Sequence, residues 1–137
     1  MAFTYPQPVL FKHCDPAGIV FYPRYFEMVN DCIEAFFAGP VGWPFHEMHK
    51  DGTAVPTAEI TTRFTRPSHH GDHLVLTLDI GRVGRSSLGL TITARAGDET
   101  RFVSTSTIVL VDGAGKPKAW TEALRQTFLT LKDGIET

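Results

Sequence analysis

The sequence predicts an α+β domain: an antiparallel sheet of five strands wrapped around one long central helix. Three observations carry that expectation. A helical segment from Pro23 to Phe37 confines its polar side chains to a narrow stripe. Four later segments alternate apolar and polar residues with a period of two. All of this fits in 137 residues without repeat, linker or low-complexity stretch. The expected organisation is therefore a single domain over residues 1–137, long enough to bury about two-thirds of its unfolded surface.

A short strand is expected from Pro8 to His13, followed by the loop Cys14-Asp15-Pro16-Ala17-Gly18-Ile19-Val20-Phe21. Asp-Pro and Ala-Gly are turn chemistry, and Pro16 pushes Asp15 out of the helical region. Pro23 suits a first helical position, where its missing N–H would have no partner anyway. Gly39-Pro40 marks the helix end. Within the helix, Arg24, Glu27, Asp31 and Glu34 recur at spacings of three and four. Most of the other positions are apolar, a wider apolar face than a surface helix needs, so a sheet should cover the helix on most sides. Residues 40–56 read as irregular.

Strands then follow. Ala58, Ile60, Thr62 and Phe64 mark the first, Leu74, Leu76, Leu78 and Ile80 the second, Leu88, Leu90, Ile92 and Ala94 the third. Phe102 to Val111 is a β-branched run with partial alternation. Short breaks between them read as an antiparallel meander. Trp120, Leu124, Phe128 and Leu131 suggest a C-terminal helix of about three turns.

Composition excludes several classes. Thirteen basic against fifteen acidic side chains leave a net charge of −2, which argues against a broad nucleic-acid face. No apolar run approaches the roughly 18 residues of a membrane span, and the first residues lack the pattern of a signal peptide. Cys14 and Cys32 are too few for a disulfide framework, so they read as reduced thiols and the expected compartment is the cytoplasm.

The strongest local chemistry is Asp15 in a constrained loop, seven residues before Tyr22, where the first free N–H groups of the helix should lie. A helix start offers unpaired donors and partial positive charge. Those donors can hold a carbonyl oxygen that becomes negative during acyl transfer. A carboxylate beside them can attack the carbonyl or activate water against it. The bland alternative is that Asp15 only caps a turn.

The unbroken run Asp15-Pro16-Ala17-Gly18-Ile19-Val20-Phe21-Tyr22-Pro23-Arg24-Tyr25 resembles the signature of the 4-hydroxybenzoyl-CoA thioesterase family of hotdog-fold proteins. Pro56 before a long strand, the turn Pro67 to Asp72, and Gly84-Arg85-Ser86-Ser87-Leu88 agree with it. The resemblance implies a hotdog fold, assembly as a dimer or dimer of dimers, and metal- and cofactor-free hydrolysis of an acyl-CoA to a free acid and CoA. Asp15 takes the place of the catalytic nucleophile or general base, and the Tyr22 N–H that of the group polarising the thioester carbonyl. Asn30 stands where the 4-hydroxybenzoyl enzymes carry an aspartate that meets the ring hydroxyl; an amide can hydrogen-bond a phenol without adding charge. Arg85, Ser86 and Ser87 match a basic, polar strand entry that in the family lies near the CoA phosphates. The substrate is expected to carry an aromatic, hydroxybenzoyl-type or a short acyl group. Rival readings are a thioesterase acting on acyl carrier protein or aliphatic acyl-CoA, and a non-catalytic acyl-CoA-binding protein.

Other groupings are weaker. His13-Cys14-Asp15 has the residue types of a cysteine hydrolase, but adjacent residues of an extended segment point in opposite directions. His69, His70 and His73 around Asp72, and His46 with His49, contain zinc-ligand types, yet such loops are usually solvated. Glu27, Asp31 and Glu34 read as a solvated or subunit-facing stripe. Phe21, Tyr25, Phe26, Phe36, Phe37, Trp43 and Phe45 are candidates for an acyl pocket, though most should be core.

Overall fold

A computed structural model describes residues 2–134. The elements in chain order are β1 (Phe3–Pro8), a 3₁₀ turn (Phe11–His13), α1 (Pro23–Ala38), α2 (Phe45–Lys50), β2 (Thr57–Phe64), β3 (His73–Val83), β4 (Ser87–Ala96), β5 (Glu99–Val109) and α3 (Glu122–Lys132). The strands form one antiparallel five-stranded sheet in the order β1-β3-β4-β5-β2. α1 packs on one face of it, which is the hotdog arrangement.

The core follows from the two periodicities. Tyr25, Met28, Val29, Cys32, Ile33, Phe36 and Phe37 form the buried face of α1. They meet Leu74, Leu76 and Leu78 of β3, Leu88, Leu90 and Ile92 of β4, and Phe102 and Ile108 of β5, all buried in one cluster. Arg24, Glu27, Asn30, Asp31 and Glu34 remain exposed, so the sheet covers one side of α1 and leaves a polar flank open. α3 closes the end of the core. Thr121 caps it through a hydroxyl that accepts the Leu124 N–H at 3.2 Å, and the fully buried Phe128 packs against Trp120 and Phe37.

Three expectations need correction. The first strand is Phe3–Pro8, not Pro8–His13. Pro6 and Pro8 are tolerated because β1 is an edge strand. Beyond it the Leu10 N–H turns to the His13 ring, and the chain coils into the 3₁₀ turn. Residues 40–56 are not wholly irregular: α2 forms there, too short for a helical period to show.

The third correction concerns β2. Only β3, β4 and β5 form the expected meander, while β2 pairs with β5 at the far edge. The break after β2 is too long for a tight hairpin and carries the chain across the end of the sheet. It is fastened to β5, whose Arg101 C=O accepts the N–H groups of both Thr65 and Arg66, at 2.9 and 3.2 Å. β2 is accordingly exposed along almost its whole length.

Candidate active site

The loop before α1 folds back on itself. The Phe21 N–H donates to the His13 C=O at 2.9 Å, Cys14 and Val20 form a bridge, and the Asp15 N–H donates to the Ile19 C=O at 3.0 Å. Gly18 makes the reversal possible with a φ of +82°, a backbone region side chains disfavour. Its N–H closes the turn on the Asp15 C=O at 2.9 Å. Asp15 thus sits at the head of a tight turn whose return limb leads directly into α1.

Asp15 is half-buried. Its Oδ1 accepts the Ala17 N–H at 2.9 Å, so it does cap its turn. The other oxygen has no donor among the described residues, and is available to a substrate or a water.

At the helix start Pro23 has no N–H. The Arg24 and Tyr25 N–H groups are taken by the Phe21 and Tyr22 carbonyls, at 2.8 and 3.1 Å. This leaves the Tyr22 amide, in the N-cap position, as the one donor of the loop-to-helix junction without an acceptor among the described residues. Tyr22 is 61% exposed beside Phe21, at 46%. Phe64, at the end of β2, packs its ring against Tyr22, Tyr25 and Phe26, which was not anticipated from the sequence. Asp15, Phe21 and Tyr22 are therefore brought to one end of the molecule.

Asn30 lies two turns along α1. It opens on a cavity of about 350 Å³ walled by Ile33, Phe45, His49, Val55 and Thr57. Phe64 meets the start of α1, and Thr57 lines the same cavity as Asn30 and Ile33 of its middle, so β2 and α1 run in opposite directions. A larger hollow of about 970 Å³, between β1, the end of α1 and α3, holds none of the site residues. Of the other expected pocket residues, Phe36 and Phe37 are core, as is Tyr25.

Arg85, Ser86 and Ser87 are elsewhere. They form the β3–β4 turn, whose carbonyls are pinned by Trp120 N–H to Arg85 at 2.9 Å, Leu110 N–H to Ser86 at 2.8 Å and Trp120 Nε1–H to Ser87 at 3.0 Å. The Arg85 side chain is exposed and unpaired among the described residues. This turn follows Val83, whereas the Asp15 loop touches the chain just before His73, at Ser68 and His69. The length of β3, on the order of 30 Å at about 3.3 Å per residue, separates them. One chain does not bring Arg85 to Asp15.

The remaining groupings dissolve on inspection of contacts. Glu27 is paired with Arg24 at 2.7 Å on the exposed stripe. Among the described residues no three His, Cys, Asp or Glu side chains converge as metal ligands. Burial pushes the Cys32 thiol up to about 12, leaving it inert at neutral pH. His13 is buried, and its Nδ1 accepts the Leu10 N–H at 2.8 Å. Burial first, then the nearby Lys12, holds its pKa below the usual 6.5. The folded state therefore resists a proton that the unfolded chain takes up. Stability contributed above pH 6.5 should be lost as pH falls through that value toward the lowered one. Urea unfolding at neutral and mildly acidic pH should show this loss, and a His13→Asn variant should show less of it.

The thioesterase superfamily model matches residues 17–103, more than half of the chain. A 1,4-dihydroxy-2-naphthoyl-CoA hydrolase of Thermosynechococcus vestitus is 28% identical over 109 residues, 77% of this chain and 74% of that protein. Among solved structures, a 1,4-dihydroxy-2-naphthoyl-CoA thioesterase from Synechocystis superposes with a TM-score of 0.87 at 18% identity, over 96% of this chain and 98% of that one. A gentisyl-coenzyme A thioesterase superposes with a TM-score of 0.85 at 23% identity, over 92% and 99%. At such identities the superpositions establish the fold, and the family match supplies the chemistry. The chain belongs to the thioesterase superfamily, as a hotdog-fold acyl-CoA thioesterase.

Proposed function

We propose that the protein hydrolyses a hydroxylated aromatic acyl-CoA to the free acid and CoA, with Asp15 and the Tyr22 amide as its working groups. The observation that carries this reading is a carboxylate with one free oxygen at the head of the tight turn and, on the same loop three residues past its return, a helix-start amide with no acceptor among the described residues. The amide stabilises the oxyanion as the thioester carbonyl is attacked. The Asp15 carboxylate attacks that carbonyl itself or takes a proton from the attacking water. The C–S bond breaks and CoA leaves as its thiol; on the nucleophilic route water then hydrolyses the Asp15 anhydride to free acid and carboxylate, and on the general-base route the attacking water itself completes the acid. Asn30 and the neighbouring cavity suit a ring bearing hydroxyl groups, the acyl class named for the relatives above. Thiol release measured across aromatic, aliphatic and carrier-protein thioesters tests the reading. Preference for a hydroxylated aromatic acyl-CoA supports it; equal or better turnover of aliphatic or carrier-protein substrates overturns it.

The active form in this reading is at least a dimer. β1 is blunted as a pairing edge by Pro6 and Pro8, while β2 is an exposed edge without proline. Antiparallel pairing of two β2 strands sets the Thr57 end of one against the Phe64 end of the other. That brings Arg85, Ser86 and Ser87 of the partner subunit to the same end of the joined sheet as Asp15 and Tyr22. CoA phosphates then lie on the partner's turn and the thioester at Asp15. Arg85→Ala is expected to raise KM for acyl-CoA several-fold with kcat little changed, and to leave short thioesters lacking the nucleotide unaffected. Steady-state kinetics on both substrate types checks this; an equal effect on both removes Arg85 from the CoA site. The two unbridged thiols fit work in a reducing cytoplasm.

A further inference from the structure

The turn Pro67–Asp72 clamps both limbs of the loop that carries Asp15. On the incoming limb, the Val9 N–H donates to the Asp72 C=O at 2.8 Å and the Gly71 N–H to the Val9 C=O at 3.0 Å. On the outgoing limb, the Val20 N–H donates to the Ser68 C=O at 2.9 Å, and Ile19 bridges His69. Ile19 in turn receives the Asp15 N–H.

What holds the turn is one guanidinium from β5. Nη1 of Arg101 donates to Asp72 Oδ2 at 2.7 Å, to Ser68 Oγ at 3.1 Å and to the Pro67 C=O at 3.2 Å. The same Asp72 oxygen accepts the His69 N–H at 2.9 Å. The Arg101 side chain is only 13% exposed and Asp72 28%. Arg101 Nε forms an ion pair with the more exposed Glu99 Oε1 at 2.8 Å, whereas three hydrogen bonds of Nη1 go to the turn. The turn is therefore the main engagement of this cation. Its hydrogen bond, followed by that of the His69 N–H, holds the Asp72 carboxyl below the usual carboxylate range, so the pair stays charged at neutral pH.

We infer that Arg101 and Asp72 are positioning residues for catalysis: through the Pro67–Asp72 turn they fix where the Asp15 carboxylate stands relative to the Tyr22 amide. The inference rests on the reading of Asp15 as the working carboxylate. Small displacements of a reacting group cost heavily, up to about 10²-fold for ~1 Å. Arg101→Ala should thus lower kcat on an aromatic acyl-CoA by roughly 10- to 100-fold, with KM nearly unchanged.

The decisive comparison is a cycle with Asp15→Asn, measured well below each variant's melting temperature. In the Asp15→Asn background, adding Arg101→Ala should cost nothing further, because no carboxylate is left to misplace. The same fold-loss in both backgrounds, or full activity of a folded Arg101→Ala protein, overturns the inference. Should Arg101→Ala fail to fold, Asp72→Asn serves in its place, since it keeps the size of the side chain and removes its charge. A second measurement is independent of activity. Hydrogen exchange at the Val9 and Val20 amides should accelerate in Asp72→Asn while that of Ile92 in β4 stays as in the parent. Unchanged protection at Val9 and Val20 overturns the clamp. A fully active Asp15→Asn protein would end the Asp15 reading and the catalytic half of this inference, and the exchange data would then judge the clamp alone.

Discussion

Asp15→Asn is expected to lower turnover of an acyl-CoA by about 10²-fold or more while leaving the fold intact. The reason the fold survives is local. Oδ1 of Asp15 accepts the Ala17 N–H, and an asparagine oxygen can accept the same bond. Gly18 and Ile19 close the turn through the backbone, which the substitution does not touch. What disappears is the charge, and with it the ability to attack a carbonyl or take a proton from water. Thiol-release kinetics alongside circular dichroism and thermal unfolding checks this. Near-normal kcat in a folded Asp15→Asn protein would move catalysis to another group. Single-turnover hydrolysis in ¹⁸O-water then separates the two roles of the carboxylate. Label found in Asp15 after one turnover identifies a nucleophile whose anhydride water opens at the Asp15 carboxyl carbon, whereas a general base leaves Asp15 unlabelled and passes the label directly to the product acid.

Tyr22→Pro is expected to cost about 10²- to 10³-fold in kcat, the range seen when an oxyanion donor is removed. Tyr22→Phe, by contrast, should leave kcat within a few-fold of the parent. The contrast isolates the amide from the phenol hydroxyl. Proline removes the amide hydrogen, and the φ of −54° at Tyr22 already suits its ring. No protein hydrogen bond is broken, because that amide has no acceptor among the described residues. A third variant, Tyr22→Ala, keeps the amide and removes the ring that packs on Phe64, so the three compared by kcat and melting temperature distinguish an electrostatic role from a packing one. Equal activity of a folded Tyr22→Pro protein would remove the helix start from the reaction. Loss in Tyr22→Phe as large as in Tyr22→Pro would shift the role to the phenol.

Much of the fold was legible wherever a periodicity ran long enough. α1 was expected from Pro23 to Phe37 and spans Pro23–Ala38. The alternation from Ala58 to Phe64 lies within β2, and those from Leu74 and Leu88 open β3 and β4. β1 was misplaced because two prolines and mixed aromatic and polar side chains hide its alternation. α2 escaped because six residues cannot display a helical period. The position of β2 was misread because a strand's pattern says which face is buried and nothing about its neighbour.

The candidate site divides along the same line. Asp15 and Tyr22 could be singled out because a turn and a helix start are local in sequence, and their hydrogen bonds join residues a few positions apart. Asn30 and Phe21 could be named on the same stretch. The Arg101–Asp72 pair had no such signal: it joins residues 29 positions apart, and Asp72 among histidines suggested metal-ligand types instead. Phe64 against Tyr22 was equally invisible, since an aromatic at a strand end could pack anywhere.

The sequence by itself determined the secondary structure of the long elements, the buried face of the helix, and the turn that presents a carboxylate before a helix start. Those depend on backbone preferences and spacing, which act over a few residues. Only the tertiary structure decided that β2 lies at the far edge, that Arg101 anchors the turn behind Asp15, and that Arg85 stands a strand's length away from it. Those depend on which distant surfaces exclude water together, and no local pattern encodes the partner of a surface.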